Sequence, residues 1–186
     1  MKEQGGFTII EVVVTFLIIT IGLMGFMSLQ ISTMNNAVES IQRAQVMNLL
    51  ESMTARMRVN ADGAYRGEYV DSSINLGKIP MVGCRNLATI AKRDLCEFNN
   101  ELNSGNDYTI GNHAPAGSLG CIKELPNNQS DRYRAYRIEV VWPGQGVGVT
   151  STPLDCGFDQ IEEKYRRGLF RDVFIRGEFD ITEETV

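Results

Sequence analysis

The chain has 186 residues, of which 43% are hydrophobic, and its formal net charge at pH 7 is −5. This length allows one compact domain together with an additional element. Beyond residue 58 there are 14 lysines and arginines against 19 acidic residues, so this part of the chain gives no electrostatic reason for direct binding to nucleic acid.

The first predicted element is a membrane-spanning helix. Residues 12–38 contain no charged side chain, and most of the first twenty are apolar. About 20 apolar residues in a helix are enough to cross the hydrocarbon core of a bilayer. A cleaved secretory signal would combine a basic start, a shorter apolar run and a small-residue cleavage site. Here Lys2 is offset by Glu3 and no such site follows, so we expect a single membrane span at the N-terminus.

The helical pattern continues beyond the apolar run. No glycine lies between Gly25 and Gly63, and no proline precedes Pro80. One helix is therefore predicted over residues 7–58, with a length of roughly 75–80 Å at 1.5 Å per residue. Gly22 and Gly25 are its predicted weak points, because glycine in a helix costs about 1 kcal/mol relative to alanine. An apolar stripe in its second half is predicted to pack on the following domain: Ile41, Val46, Leu49, Leu50, Met53 and Met57.

The remainder is predicted to be α+β. Residues 60–83 have the composition of a loop, and residues 86–102 have helical spacing with Asn86 as a candidate cap. Alternating patterns predict strands over residues 133–142 and 169–179. A helix followed by antiparallel strands defines an α+β domain. The apolar positions of the second helix are Leu87, Ile90, Ala91, Leu95, Phe98 and Leu102, and those of the first strand are Tyr136, Ile138, Val140 and Trp142.

Two groups of cations are predicted to be solvated rather than to bind a ligand. They are Arg132, Arg134 and Arg137, and Lys164, Arg166, Arg167 and Arg171.

The four cysteines, Cys84, Cys96, Cys121 and Cys156, all follow the predicted membrane span. An even number predicts two disulfides if this part lies outside the cytoplasm. Three pairings are open, and we favour the two sequence-local ones, Cys84 with Cys96 and Cys121 with Cys156. A zinc site is not expected, because no CxxC pair occurs and His113 is far from every cysteine in sequence.

Glu11 is the residue whose position most needs a reason. A carboxylate in a membrane helix costs about 2.5–3.5 kcal/mol on insertion scales and usually has a partner. One interpretation places it at the membrane interface, where the N-terminal end of the helix dipole favours an anion. The residues before it suggest a specific partner instead.

The stretch "EQGGFTIIEVVVTF", residues 3–16, resembles the signature of type IV prepilins. A short polar leader ends in Gly6 and is followed by Phe7, Thr8 and an apolar helix, with Glu11 at the fifth position after the glycine. The resemblance implies that residues 1–6 are a leader removed by prepilin peptidase between Gly6 and Phe7, with methylation of the Phe7 amine. It also implies that Thr8 and Glu11 act in filament assembly, where Glu11 meets the amine of a neighbouring subunit. We expect Gly22 and Gly25 to allow local unwinding there.

The rest of the chain is most similar to minor pilins of the PilV family, also called type IV pilus modification proteins. The similarity is in "AQVMNLLESMTARMRVN", "GAYRGEY", "LATIAKRDLCEFNNEL" and "YRIEVVW". Two features depart from that family: Phe98 stands about where a tryptophan is expected, and residues 103–119 lack a Leu-Pro-Gly.

The resemblance implies a type IV pilin fold, with residues 7–32 in the membrane and residues 59–186 as an extracytoplasmic head. The expected function is that of a minor pilin that primes pilus assembly near the tip and supports adhesion, twitching motility or DNA uptake by the pilus. The implied partners are other minor pilins, the major pilin, prepilin peptidase, the inner-membrane assembly platform and a tip adhesin. The protein would lie in the inner membrane, N-terminus inside, before it enters the filament.

Two alternatives remain. A minor pseudopilin of a type II secretion system would share the N-terminal chemistry. A membrane-anchored periplasmic enzyme or binding domain would leave Gly6, Phe7 and Glu11 unexplained. We expect neither catalysis nor a cofactor or metal, because no motif supports His113 as part of a catalytic group. The acidic residues Asp155, Asp159, Glu162 and Glu163 lack the spacing of a calcium loop.

Overall fold

The computed structural model describes residues 6–70, 76–103, 114–126, 133–148 and 154–177. Residues 1–5 of the predicted leader, His113 and Arg132 lie outside these ranges, as does most of the stretch that departs from the PilV pattern. The chain divides into two units, residues 1–40 and residues 41–186.

Helix α1 spans Ile9–Val59 without interruption, so it begins two residues later than predicted and ends one residue later. In the first unit its side chains are exposed, from Ile9 to Ala37. Three threonine hydroxyls of the apolar run each donate a hydrogen bond of 2.8 Å to the backbone carbonyl three residues earlier. The pairs are Thr15 with Val12, Thr20 with Leu17, and Thr33 with Gln30. These bonds satisfy the hydroxyls within the helix itself, which suits a helix surrounded by lipid.

In the second unit, one stripe of α1 forms part of the main core. Its buried residues are Val46, Leu49, Leu50, Met53, Thr54 and Met57. The stripe follows the predicted positions with two corrections. Ile41 is 58% exposed, because the packed part of the helix starts at Val46. Thr54, a polar residue that the prediction did not include, is buried on the packed face.

The segment after α1 is more ordered than the predicted loop. A short helix, α2, spans Ala61–Tyr65, and Leu76 forms an isolated antiparallel bridge with Gly120. The buried side chain of Tyr69 donates a hydroxyl hydrogen bond to Asp94 and accepts one from Asn60. Burial and the neighbouring Asp94 raise the pKa of Tyr69 far above its usual value, so it stays a neutral hydrogen-bond donor.

Helix α3 spans Ile90–Asn103 and therefore starts later than predicted. Asn86 is not its cap but belongs to a 3-10 turn, Cys84–Asn86, and Leu87 is extended. Thr89 caps the helix instead, since its hydroxyl accepts the Lys92 backbone N–H at 3.2 Å. As a result Leu87 and Ile90 are not core residues but are 38% and 50% exposed.

Three antiparallel strands form the sheet in the order β1-β2-β3. They are β1 Leu119–Leu125, β2 Tyr133–Pro143 and β3 Arg166–Arg176. In the register of the sheet, Ile138 of the central strand is paired with Ile122 of β1 and with Arg171 of β3. The predicted face of β2 is buried: Tyr136, Ile138, Val140 and Trp142 belong to the same core as the α1 stripe. The long helix and small antiparallel sheet make the predicted α+β, pilin-like architecture.

The other face of the sheet carries a second, smaller core. Leu119 and Val141 pack there with Leu154, Cys156 and Ile161. This covering explains why β2 is buried on both faces near its end.

The buried carboxylate of Glu139 lies on the same face of β2. It accepts the Cys156 backbone N–H at 3.2 Å and is 3.4 Å from the Lys123 ammonium, so its charge has partners where water is largely excluded.

Two of the cations expected in solvent are buried. Arg166 and Arg167 are 5% and 7% exposed, because β3 starts at Arg166 and not near residue 169. The Arg167 guanidinium donates hydrogen bonds to the carbonyls of Gly146 and Gly148, at 2.9 and 3.2 Å. It thereby holds the loop after β2, and any side chain at Gly148 would collide with it.

Candidate functional site

The residues around the predicted cleavage point precede the helix. Gly6, Phe7 and Thr8 have no regular secondary structure, and the Phe7 side chain is 81% exposed. A methyl group added at Gly6 would meet nothing within 4 Å. Nothing in the described chain therefore requires glycine at this position, so a requirement for it would come from an enzyme that binds the segment.

Glu11 lies in the first turn of α1. Its backbone N–H donates to the Thr8 carbonyl at 3.1 Å, and the N–H of Val12 donates to the same oxygen at 3.4 Å. The carboxylate is exposed and, within the described ranges, forms no ion pair. It is favoured by the unpaired N–H groups at the helix start, but it would need a cation once lipid or other helices surrounded it.

The helix beyond Glu11 exposes apolar side chains around its whole circumference. Such a helix is normally buried in lipid or among other helices. It is also the one helix in the described chain with the length and composition to cross a membrane. Added methyl groups at Gly22 and Gly25 would meet nothing within 4 Å, and α1 is continuous through both. The predicted unwinding concerns the filament and stays a prediction.

The structure pairs the cysteines as Cys84–Cys96 and Cys121–Cys156, with Cα–Cα distances of 5.5 and 5.8 Å. This is the sequence-local pairing. The late start of α3 makes the first bond possible, because the 3-10 turn at Cys84 returns the chain to the second turn of the helix.

Two asparagines of α3 have a role that the sequence analysis missed. Asn99 accepts the Gly77 N–H at 2.8 Å and donates to the Ile79 carbonyl at 2.9 Å. Asn100 accepts the Met81 N–H and donates to its carbonyl, both at 2.7 Å. The two side-chain amides thus give residues 77–81 the backbone hydrogen bonds that a neighbouring strand would otherwise make. The sequence feature that could have indicated this role is the pair Asn99-Asn100 within an amphipathic helix.

The ionisable groups of the head make structural contacts. Arg56 binds Glu97 and Glu101 on α3, at 3.0 and 2.5 Å. Burial raises the pKa of Glu101, an effect that Arg56 opposes. Arg137 holds Asp172 with two hydrogen bonds of 2.7 and 2.8 Å, and these lower the pKa of Asp172.

A groove of about 290 Å³ lies between α1 and β3. Within the described ranges, no group of three or more metal-binding side chains comes together. The groove is lined by Met47, Asn48, Leu50, Glu51, Leu169, Phe170 and Arg171.

Residues 1–27 match the family described as the prokaryotic N-terminal methylation motif. No curated protein and no solved structure matches the chain. The motif and the α+β architecture support a type IV pilin-like protein, a pilin or pseudopilin processed by prepilin peptidase. The apolar helix fits a membrane-anchored pilin, and the motif is characteristic of structural proteins rather than enzymes. The match ends at Met27, so it does not distinguish among the members of this class.

Proposed function

We propose that the chain is a minor pilin of the PilV type, incorporated with other minor pilins to prime assembly of a type IV pilus near its tip. Prepilin peptidase cuts between Gly6 and Phe7 and the Phe7 amine is methylated. Residues 7–32 span the inner membrane and residues 59–186 form the periplasmic head. In the assembled pilus the protein supports adhesion, twitching motility or DNA uptake.

The observation that carries this proposal is the position of Glu11. It is an exposed carboxylate in the first turn of an otherwise apolar helix, four residues after the predicted new N-terminus. A carboxylate and an ammonium are each costly in an apolar environment, but together they stabilise one register between neighbouring helices. The second half of the proposal, the minor-pilin role, is supported by the resemblance of the head segments to the PilV family.

The N-terminus of the mature protein tests the processing step. Mass spectrometry of the chain from cells with active prepilin peptidase should find N-methyl-Phe7 as its first residue. A chain that keeps Met1 in such cells would disprove the proposal.

Glu11→Gln tests the assembly step. It should leave cleavage at Gly6 intact but reduce the amount of the chain in sheared pili by at least about 100-fold, because breaking one side of a buried ion pair costs about 3–5 kcal/mol. The measurement is an immunoblot of the pilus and membrane fractions. Glu39→Gln, which lies just past the uncharged run, is the matched control and should assemble normally. Equal incorporation of both variants would show that Glu11 has no assembly role.

Deletion separates the two filament classes. Loss of surface pili with normal exoprotein secretion supports the minor pilin, whereas lost secretion with normal pili assigns the chain to a type II pseudopilus.

A further inference from the structure

Residues 76–93 of the head have an unusual charge. Residues 76–93 contain four of the fourteen cations that follow residue 58 and none of the nineteen acidic residues. Without residues 76–93, the remainder of the head therefore has a larger net negative charge than the head as a whole. In the described part of the chain, none of these cations forms an ion pair, and all are exposed: Lys78, Arg85, Lys92 and Arg93.

The same residues expose apolar side chains. Val82 is 94% exposed and Ile79 is 72% exposed. Leu76, which precedes them, is buried and bonded to Gly120. The segment is thus anchored by its buried end and its backbone, while Ile79 and Val82 face away from the core. Contiguous exposed apolar side chains beside polar ones are typical of interaction sites.

Helix α3 brings the cations and apolar groups onto one surface. Cys96, Asn99 and Asn100 lie three and four residues apart and hold the 77–84 segment by a disulfide and side-chain hydrogen bonds. Lys92 and Arg93 precede Cys96 by four and three residues, so they continue this face by one helical turn. We call the surface formed by Lys78, Ile79, Val82, Arg85, Lys92 and Arg93 the basic apolar surface.

The acidic residues of α3 do not neutralise it. Asp94 accepts a hydrogen bond from Tyr69, and Glu97 is paired with Arg56 at 3.0 Å. These carboxylates are committed to contacts with the end of α1 and the segment after α2. Among the residues that the structure describes, the four cations on the basic apolar surface have no ion-pair partner within the subunit.

We propose that the basic apolar surface docks on the acidic head of a neighbouring, different pilin-type subunit. The inference rests on the proposed function and adds to it the chemistry of the partner. Apolar contacts from Ile79 and Val82 supply area, and the cations select an acidic face over a basic one, as charge complementarity does at protein interfaces. The clamp by Asn99, Asn100 and the disulfide fixes the surface in advance, which lowers the entropy cost of binding.

Site-directed cross-linking in the producing cells tests the inference. The full-length variant Val82→p-benzoylphenylalanine is irradiated, and its adducts are identified by mass spectrometry. The expected adduct joins Val82 to the head of another protein with a prepilin N-terminus and a net negative head. Adding Lys78→Glu and Lys92→Glu should lower its yield by at least about tenfold, because like charges across an interface are strongly unfavourable.

The matched control is Arg58→Glu with Lys164→Glu, a reversal of two exposed cations outside the surface, which should leave the yield unchanged. Adducts to lipid, to a second copy of this chain or to a protein without a prepilin N-terminus would overturn the inference. So would a yield that the Lys78/Lys92 reversal does not change.

The N-terminus and surface pili are measured in the same strains. Processed Phe7 and normal pili without the adduct would refute the docking surface alone. An uncut Met1 would refute the proposed function and, with it, this inference.

Discussion

At the residue scale, the effect of a threonine hydroxyl on stability depends on whether it has a hydrogen-bond partner. Thr15 and Thr20 satisfy their hydroxyls on the helix that carries them, and Thr89 uses its hydroxyl to cap α3. Thr54 is 2% exposed, and its hydroxyl has no hydrogen-bond partner in the described part of the chain. A buried hydroxyl without a partner lowers stability.

Replacing Thr54 or Thr89 with valine should therefore change the free energy of unfolding in opposite directions. Thr54→Val keeps the shape and removes the unsatisfied hydroxyl, so the free energy of unfolding should rise by about 1 kcal/mol. Thr89→Val removes the cap and should lower it by about 1 kcal/mol. Thermal unfolding of the full-length protein in detergent measures both. Destabilisation by Thr54→Val would indicate an unrecognised partner for its hydroxyl.

Asp172 makes stability depend on pH. Its folded-state pKa is lowered by the Arg137 hydrogen bonds, so its contribution is present above the unfolded pKa of about 3.9 and is lost as pH falls through the lower folded value. Both side chains remain partly exposed, at 29% and 28%, so the pair is worth no more than about 1 kcal/mol.

Asp172→Asn should lower the unfolding free energy by up to about 1 kcal/mol at pH 7, and the difference from wild type should shrink towards pH 3. Denaturant titrations at several pH values measure this. Asp155→Asn serves as a control because Asp155 is 91% exposed and should change stability little. A difference for Asp172→Asn that is constant from pH 7 to pH 3 would rule out the titration mechanism.

At the element scale, α3 organises residues 76–86, whose own regular structure is limited to a bridge and a 3-10 turn. Its apolar side packs into the core through Ala91, Phe98 and Leu102, and another side supplies Cys96, Asn99 and Asn100 to residues 77–84. The 76–86 segment thereby gains backbone partners without joining the sheet beyond its bridge at Leu76. Two amide side chains replace the ladder of hydrogen bonds that a strand would otherwise provide.

Asn99→Ala should be markedly destabilising, by about 2–4 kcal/mol, because it leaves the Gly77 N–H and the Ile79 carbonyl without their partners. Asn103→Ala on the same helix is the matched control. The Asn103 amide nitrogen makes no hydrogen bond to the described residues, so its loss should cost less. Urea unfolding of the full-length proteins gives both values, and equal costs would contradict the clamp.

At the scale of the whole molecule, the head is held by a main core, a second core across the sheet and two disulfides. The main core joins one stripe of α1 to α3 and one face of the sheet. The second core fastens residues 154–161 to the opposite face. The Cys121–Cys156 bond spans 35 residues, whereas Cys84–Cys96 spans 12.

Removing the longer disulfide should cost more stability. The loop-closure model gives about 4 kcal/mol for Cys121–Cys156 and about 3 kcal/mol for Cys84–Cys96. The double variants Cys121→Ser/Cys156→Ser and Cys84→Ser/Cys96→Ser can be compared by thermal unfolding. A greater loss from the shorter loop would show that local contacts, rather than loop length, dominate.

The sequence by itself determined the elements whose periodicity is strong. The long uncharged helix, the α1 stripe from Val46 to Met57 and the alternation of β2 are local patterns, and each matches the structure within a few residues. Gly6, Phe7 and Glu11 were also accessible from sequence, because their meaning depends on spacing along one chain. Their roles in cleavage and assembly remain predictions.

Only the tertiary structure decided which polar groups became buried and what they bind. Nothing in the local pattern separates Arg167, buried against the Gly146 and Gly148 carbonyls, from an exposed arginine. The start of α3, the Asn99 clamp and the basic apolar surface likewise depend on residues that are distant in sequence. Hydrophobic periodicity records which side of an element is apolar, whereas hydrogen-bond partners and free surface are properties of the packed chain.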